Sequence, residues 1–224
     1  MALFDLDPTL PAEIGPLSWL LGIWEGSGVV HYTVGDEVRE HEFGQRVSFS
    51  QDGLPYLNYS STTWLLPSTG SGSEAGSGSG AGSGSGAGLE SGAATPLAAE
   101  LGYWRLGRRL GDGDPGPAML PGVGERPFQT ADAVETLRND AGGFDVEVSL
   151  IHPGGVHELY LGQVKGPRID LATDAVMRSA SAKEYAAATR IYGLVDGALL
   201  WAWDIAALGQ DLRTHSSGRL ERVE

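Results

Sequence analysis

Short runs in which apolar and polar residues alternate, separated by turn signals, dominate this chain. A period of two is typical of strands with one buried face. Runs of this kind predict about ten strands at regular spacing. They cover Trp24–Thr33, Phe43–Ser50, Leu57–Leu65, Ala99–Arg105, Val134–Arg138, Phe144–Ile151, Val156–Val164, Arg168–Ala172, Glu184–Tyr192, Ala198–Asp204 and Arg213–Val223.

The turns between these runs indicate how the strands connect. Gln51–Gly53 and His152–Gly155 predict hairpins, and Asp196-Gly197 is a strong type I′ signal. Pro16–Leu21 predicts a short helix with proline at its first position. Many short strands with tight turns favour a sandwich or an up-and-down barrel. We therefore predict an all-β, roughly ten-stranded up-and-down antiparallel β-barrel with a short N-terminal helix.

Two segments interrupt the pattern and decide the domain organisation. Residues 68–94 hold ten of the 34 glycines and are of low complexity, which predicts a flexible loop. Residues 110–124 are rich in Gly and Pro and predict a second loop. The stretches beside residues 68–94 are strand-like, so we expect one barrel over residues 16–224 that contains both loops. Residues 1–15 are expected to form an N-terminal extension.

Composition excludes several classes of function. The chain has 224 residues, no Cys and a net charge of −14. Without Cys, disulfides, thiolate metal sites and cysteine nucleophiles are excluded. Nucleic acid and anionic membranes are not expected as partners, because binding phosphates requires clustered Lys and Arg. No apolar run approaches the length of a membrane span and the first residues are acidic, so we expect a cytoplasmic protein.

Several ordered motifs go further than the composition. Gly22-Ile-Trp-Glu-Gly-Ser-Gly28 opens the first predicted strand. It is followed by Asp52–Ser60, Glu100–Trp104, Ile151–Glu158, Ala182–Tyr185 and Gly209–His215. Together these motifs resemble the nitrobindins, a family of haem-binding β-barrels related in shape to fatty-acid-binding proteins. The resemblance spans about residues 16–222 apart from the two loops.

The resemblance implies a cofactor, a reaction and a set of site residues. It implies one ferric haem b per subunit, conversion of peroxynitrite to nitrate, binding of nitric oxide and a homodimer. His215 lies in the pattern Gly-Gln-X-Leu-X-X-His and would be the axial ligand of the haem iron. No catalytic residue is expected beyond the iron. The residues expected to bind the cofactor are Gly22, Trp24, Gly26, Gly28, Thr33, Lys183 and His215.

Structural interpretations compete with each of these roles. Trp24 and the glycines could serve only to close the barrel, Lys183 could be a solvated charge, and His215 could lie on the surface of an empty barrel. His152 and His157 are expected to be polar turn residues that could face each other across a hairpin, whereas His31 could contact the haem.

At the level of function, the alternative is a haem-free carrier of a small lipophilic ligand, like a lipocalin or a fatty-acid-binding protein. A nitric oxide sensor is a third hypothesis.

Overall fold

The computed structural model describes residues 10–34, 37–67, 94–207 and 212–223, with the side chains of residues 33, 34, 37 and 38 excepted. Ten strands account for most of these residues. They are β1 (Gly22–Val34), β2 (Glu37–Ser50), β3 (Leu57–Leu65), β4 (Thr95–Leu106), β5 (Phe144–His152), β6 (Val156–Lys165), β7 (Arg168–Arg178), β8 (Tyr185–Val195), β9 (Ala198–Ala207) and β10 (Arg213–Arg222).

The strands form one closed antiparallel barrel. Each strand pairs with its neighbours along the chain, and β1 pairs with β10 to close the circle. Side chains on alternate positions of each strand point inward, and the inward set of β5 is Phe144, Val146, Val148 and Leu150, all buried. The predicted ten-stranded, up-and-down, all-β barrel is confirmed.

A short helix closes one end of the barrel. It is a 3₁₀ helix over Ala12–Leu20, so it begins before the predicted start and Pro16 lies inside it. Ile14, Leu17 and Leu20 are at most 1% exposed, which seats the helix as an apolar plug. Trp24 on β1 is fully buried beside it and donates its indole N–H to the Leu20 carbonyl at 2.7 Å.

The glycine motif on β1 has a steric explanation. A Cβ at Gly26 would collide with the backbone carbonyl of Arg219, and one at Gly28 would collide with that of Ser217. Both carbonyls belong to β10, the strand that closes the barrel against β1. Glycine therefore allows the closest approach of the first strand to the last.

One predicted strand is wrong. Residues 134–138 do not form a strand, because Val134 lies in helix α1 (Ala131–Glu135). The Thr130 hydroxyl accepts a hydrogen bond from the Ala133 amide and caps the helix at its N-terminus. Arg138 makes only an isolated bridge to Phe144. The short apolar spacing of this segment fits a single helical turn as well as a strand, and the cap decides between them.

The two predicted loops and the predicted extension are described only in part. Residues 110–124 lie in the connection between β4 and β5 and contain one 3₁₀ turn, Pro117–Met119. The predicted loop over residues 68–94 lies outside the described residues except for Ala94, as do residues 1–9 of the extension. Of the helices that the structure describes, none is long and apolar enough to cross a membrane.

Candidate functional site

A cavity of about 440 Å³ occupies the end of the barrel opposite the helix. On β1 it is lined by Val30 and Tyr32, far along the strand from the buried Trp24. Its wall is mainly apolar, which suits a large hydrophobic ligand with a few placed polar groups. The apolar and aromatic lining residues include Val30, Phe43, Val47, Leu65, Leu97, Leu199, Trp201, Trp203 and Leu220.

His215 reaches this cavity from the start of β10. The pairing of β10 with β9 shifts between Thr214 and Ser216, and such a bulge breaks the alternation of side chains. As a result His215 and its neighbour Ser216 both line the cavity.

The hydrogen bonding of His215 decides which ring nitrogen is available. Nδ1 lies 3.1 Å from the His31 backbone carbonyl, which can only accept, so Nδ1 carries the proton. Burial lowers the pKa of His215 from its usual value, although the His31 carbonyl opposes that shift. In the part of the chain that the structure describes, Nε2 has no hydrogen-bond partner. A neutral imidazole with a free Nε2 lone pair is a good ligand for a metal ion.

Trp203 on β9 forms the wall next to this imidazole. The Trp203 and His215 rings meet edge to face, with centroids 5.7 Å apart and planes at 85°. The Arg190 guanidinium carbon lies 4.1 Å from the centroid of the Trp203 ring, close enough for a cation–π interaction. His152 stacks on the same indole at 6.1 Å with an interplanar angle of 14°.

A buried ion pair forms the floor of the cavity. Arg190 on β8 donates to both oxygens of Glu100 on β4, at 2.7 and 3.0 Å, and its side chain is only 3% exposed. Its Nε donates to the Tyr160 hydroxyl at 3.0 Å. Burial by itself raises the pKa of Glu100, but the charge and hydrogen bonds of Arg190 outweigh it and lower the pKa to about 2. Glu100 is therefore ionised at neutral pH.

A second buried carboxylate lies behind this ion pair, outside the cavity lining. Glu158 on β6 accepts hydrogen bonds from the hydroxyls of Tyr160 and Tyr185, each at 2.5 Å. His152 Nε2 lies 2.6 Å from its other oxygen. Burial raises the pKa of Glu158, yet the contacts with His152 and Arg190 bring it below the usual value.

His152 and His157 were expected to be polar turn residues that could face each other, and the facing arrangement and the turn role of His152 are wrong. In the register of the hairpin, His152 pairs with Val156 and His157 pairs with Ile151, so the two histidines are not partners. The inward phase of β5 carries the His152 side chain onto Trp203 and Glu158. The His31 side chain instead pairs with Glu40 on the exposed face, at 2.6 Å, and only its backbone carbonyl serves the site.

Of the residues predicted to bind a cofactor, His215 lines the cavity. Lys183 is exposed in the β7–β8 connection, at the cavity end of the barrel, and its carbonyl accepts a hydrogen bond from Arg178. Thr33 pairs with Val38 through the backbone, and its side chain is outside the described part. The remaining four, Gly22, Trp24, Gly26 and Gly28, lie on β1 and are not themselves lining residues, although a Cβ at Gly28 would meet the ring of the lining residue Phe43.

The buried charged groups at and behind the cavity floor were not expected from the sequence. Glu100, Glu158 and Arg190 occupy inward positions of their strands, where the pattern calls for apolar residues. Charged residues at inward positions of predicted strands were the signal from which these groups could have been found. Tyr192, Trp201 and Trp203 pack in or against the core and line the cavity.

The fold and this site define a class of protein. Residues 13–222 match the family model of the THAP4-like, heme-binding beta-barrel domain, and the chain belongs to that family. The resemblance to the nitrobindins is thereby confirmed.

Named relatives are similar over the whole chain. The peroxynitrite isomerase of Clavibacter michiganensis subsp. michiganensis is 60% identical over 222 residues, covering 99% of this chain and 100% of the relative. That of Leifsonia xyli subsp. xyli is 59% identical with the same coverage. The crystal structure of Rv2717c from M. tuberculosis superposes with a TM-score of 0.61 at 24% identity, covering 98% of this chain and 100% of that one. This last similarity supports the fold.

The residues at the site fit a haem. The largely apolar cavity suits a macrocycle, and a neutral His215 offers Nε2 for axial ligation. Since the chain has no Cys, no thiolate competes for the iron. Haem is the cofactor of this family and the one these residues can hold.

Proposed function

We propose that this protein is a peroxynitrite isomerase that binds ferric haem b through His215. One observation carries the proposal: His215 lines an apolar cavity with Nδ1 held by the His31 carbonyl, in a chain 60% identical over its full length to a relative of that name. The reaction rearranges peroxynitrite to nitrate, which has the same atoms and the same charge. It therefore needs no external electron donor.

The residues around the cavity bind and orient rather than transfer protons. His215 would hold the haem iron through Nε2, and the His31 carbonyl holds Nδ1 so that the imidazole keeps one tautomer. The apolar lining excludes water from the reacting ligand. When bound, the haem would supply a Lewis-acidic iron.

The remaining predicted site residues receive narrower roles. Gly22, Trp24, Gly26 and Gly28 support the haem site indirectly, by closing the barrel. Trp24 bonds to the plug, Gly26 and Gly28 lie against β10, and Gly28 also lies against the lining residue Phe43. Lys183 is exposed at the cavity end of the barrel, where an ammonium can pair with a haem propionate. Thr33 belongs to the same strand as the lining residues Val30 and Tyr32 and is proposed as a further contact.

Four finer points belong to the proposal. The protein binds one haem b per subunit, also binds nitric oxide, and works in the cytoplasm. It forms a homodimer through the exposed apolar residues on the outer face of β4–β7, a feature that commonly marks an interface. These residues are Leu101, Tyr103, Ile151, Leu161 and Met177. Sedimentation equilibrium of the wild type and of Leu101→Glu tests the dimer.

The decisive experiment is a titration of the purified protein with ferric haem, followed in the Soret region. The wild type should saturate at one haem per chain, and His215→Ala should bind haem much more weakly and with an altered Soret band. His157→Ala is the matched control, because His157 is outside the cavity lining. The loaded wild type should then accelerate peroxynitrite decay in stopped flow with nitrate as the product. A flat titration, or one that His215→Ala leaves unchanged, would refute His215 ligation.

A second function deserves a test because the same cavity is mainly apolar. A haem-free carrier would use its volume of about 440 Å³ for a lipophilic molecule. Such a carrier would bind a fluorescent fatty acid tightly, would not change the haem spectrum, and would be indifferent to His215→Ala.

A further inference from the structure

We propose that Trp203, held in place by Arg190, is a positioning residue for His215. The inference rests on the proposed function, because it assigns a role at the same haem site. Trp203 would act on the imidazole that binds the iron, and the buried ion pair in the cavity floor would act through Trp203.

The contacts of His215 leave one motion for Trp203 to restrict. The hydrogen bond from Nδ1 to the His31 carbonyl holds one point of the imidazole, but small coupled changes of χ1 and χ2 can still tilt the ring about that point and move Nε2. The edge-to-face contact with Trp203 at 5.7 Å and 85° opposes that tilt. Together the two contacts define where Nε2 points. Groups behind a ligand commonly orient it in this way.

Trp203 is itself held by a rigid group. The Arg190 guanidinium lies 4.1 Å from the indole centroid. Its plane is locked by the two-point ion pair with Glu100 and by the hydrogen bond to Tyr160. Moving Arg190 would break a buried ion pair, and such a break is costly. The indole therefore rests on a cation that does not shift.

The indole nitrogen shows that packing sets the orientation of Trp203. Its Nε1 is buried, and within the described ranges it has no hydrogen-bond partner. An unpaired buried donor is unfavourable. Its retention indicates that the ring contacts with His215, Arg190 and His152 determine how the indole lies.

Trp201 provides a matched comparison on the same strand. It lies two residues before Trp203, lines the same cavity, and also has a buried Nε1 without a partner in the described structure. Its ring lies against Phe43 at 6.0 Å and against the backbone at Gly218. Its described ring contacts do not include His215. Truncating Trp201 removes a similar area of cavity wall without touching the ligand.

The test is a double-mutant cycle on the dissociation constant of ferric haem. The four proteins are the wild type, Trp203→Leu, His215→Ala and the double variant. Loss of a ligand-orienting residue should weaken binding by roughly tenfold, the lower end for groups behind a metal ligand. In the His215→Ala background the same substitution should have almost no effect, because the ligand it orients is gone. Trp203→Phe, which keeps an aromatic ring, should restore most of the affinity.

Trp201→Leu is the control, and it should weaken binding by the same factor in both backgrounds. The iron–imidazole stretching band in the resonance Raman spectrum of the reduced complex should shift in Trp203→Leu but not in Trp201→Leu. Circular dichroism melting establishes that each variant folds. If Trp203→Leu does not fold, Trp203→Met removes the ring while filling its volume and enters the same cycle.

The outcomes separate this proposal from the one it rests on. Suppose that His215→Ala weakens binding but Trp203→Leu raises the haem dissociation constant by the same factor in both backgrounds. Trp203 then contacts the haem itself, and the positioning role is refuted. An unshifted iron–imidazole band with wild-type affinity would refute it as well. If His215→Ala has no effect, the haem-ligand assignment fails first.

Discussion

Replacing Arg190 by Met removes a buried cation from between two carboxylates. Arg190 is 3% exposed and lies within 3.6 Å of oxygens of both Glu100 and Glu158. Met roughly preserves the length of the side chain but carries no charge. The variant leaves Glu100 facing only Tyr59, which donates a hydrogen bond at 2.9 Å, and the more distant His152. An ionised carboxylate in that position is poorly compensated.

The size of the effect follows from two independent routes. Breaking a buried ion pair by removing one partner costs about 3–5 kcal/mol of folding free energy. Lowering the pKa of Glu100 from 4.5 to about 2 corresponds to about 3 kcal/mol at neutral pH, at 1.36 kcal/mol per pH unit. Because the Glu100 side chain is only 10% exposed, solvent screening does not reduce that figure much. We therefore expect Arg190→Met to lose about 3 kcal/mol at pH 7.

The pH dependence gives the sign of the effect. In the wild type the pKa of Glu100 is depressed, so its contribution is present above pH 4.5 and is lost as the pH falls toward 2. In Arg190→Met the cation that lowered the pKa of Glu100 is gone. The effect of burial then dominates, and this pKa rises above its usual value. The folded variant then takes up a proton before the unfolded chain does. The stability difference between the two proteins is therefore largest at neutral pH and shrinks on acidification.

The assay is urea unfolding followed by tryptophan fluorescence, at several pH values between 7 and 4. Arg168→Met is the control, because Arg168 pairs with Asp170 on the exposed surface at 2.6 Å and its loss should leave the midpoint essentially unchanged. Two results would refute the reasoning. One is a loss below about 1 kcal/mol at pH 7, the ordinary value of an exposed pair. The other is a stability difference that stays constant down to pH 4.

Two further predictions concern the closure of the barrel and the predicted loop over residues 68–94. Gly28→Ala places a methyl group against the Ser217 carbonyl and the Phe43 ring and should destabilise the protein by about 1–3 kcal/mol, whereas Gly154→Ala, with open space at its Cβ, should be neutral in the same urea assay. Deleting residues 70–92 should leave the melting temperature nearly unchanged, because only loop entropy differs, and a large fall would contradict the loop interpretation.

Local signals in the sequence were enough for most of the strands. Gly and Asp at the ends of apolar runs marked the turns, and Asp196 and Gly197 adopt φ values of 51° and 82°, as a type I′ turn requires. The same reasoning failed at Val134, where a run too short to show its period was decided by the cap at Thr130. It also placed the helix start at Pro16, although the 3₁₀ turn begins at Ala12.

Some features of the site were likewise predictable from the sequence, and others were not. The position of His215 near the chain end, within its motif, was visible in the sequence, and so was the likeness to a haem-binding family. That likeness could not show that His31 contributes a carbonyl rather than a side chain. Nor could it show that Trp203 lies between His215 and Arg190, since these three residues come from three different strands.

By itself the sequence determined the strand order, the turns, the absence of thiol chemistry and the haem-binding family, because these depend on local patterns and residue types. The tertiary structure alone decided which polar groups meet inside the barrel. Arg190 and Glu100 are 90 positions apart in the chain and form a two-point ion pair. Closing the barrel brings inward positions of distant strands together, and that proximity has no counterpart in the linear sequence.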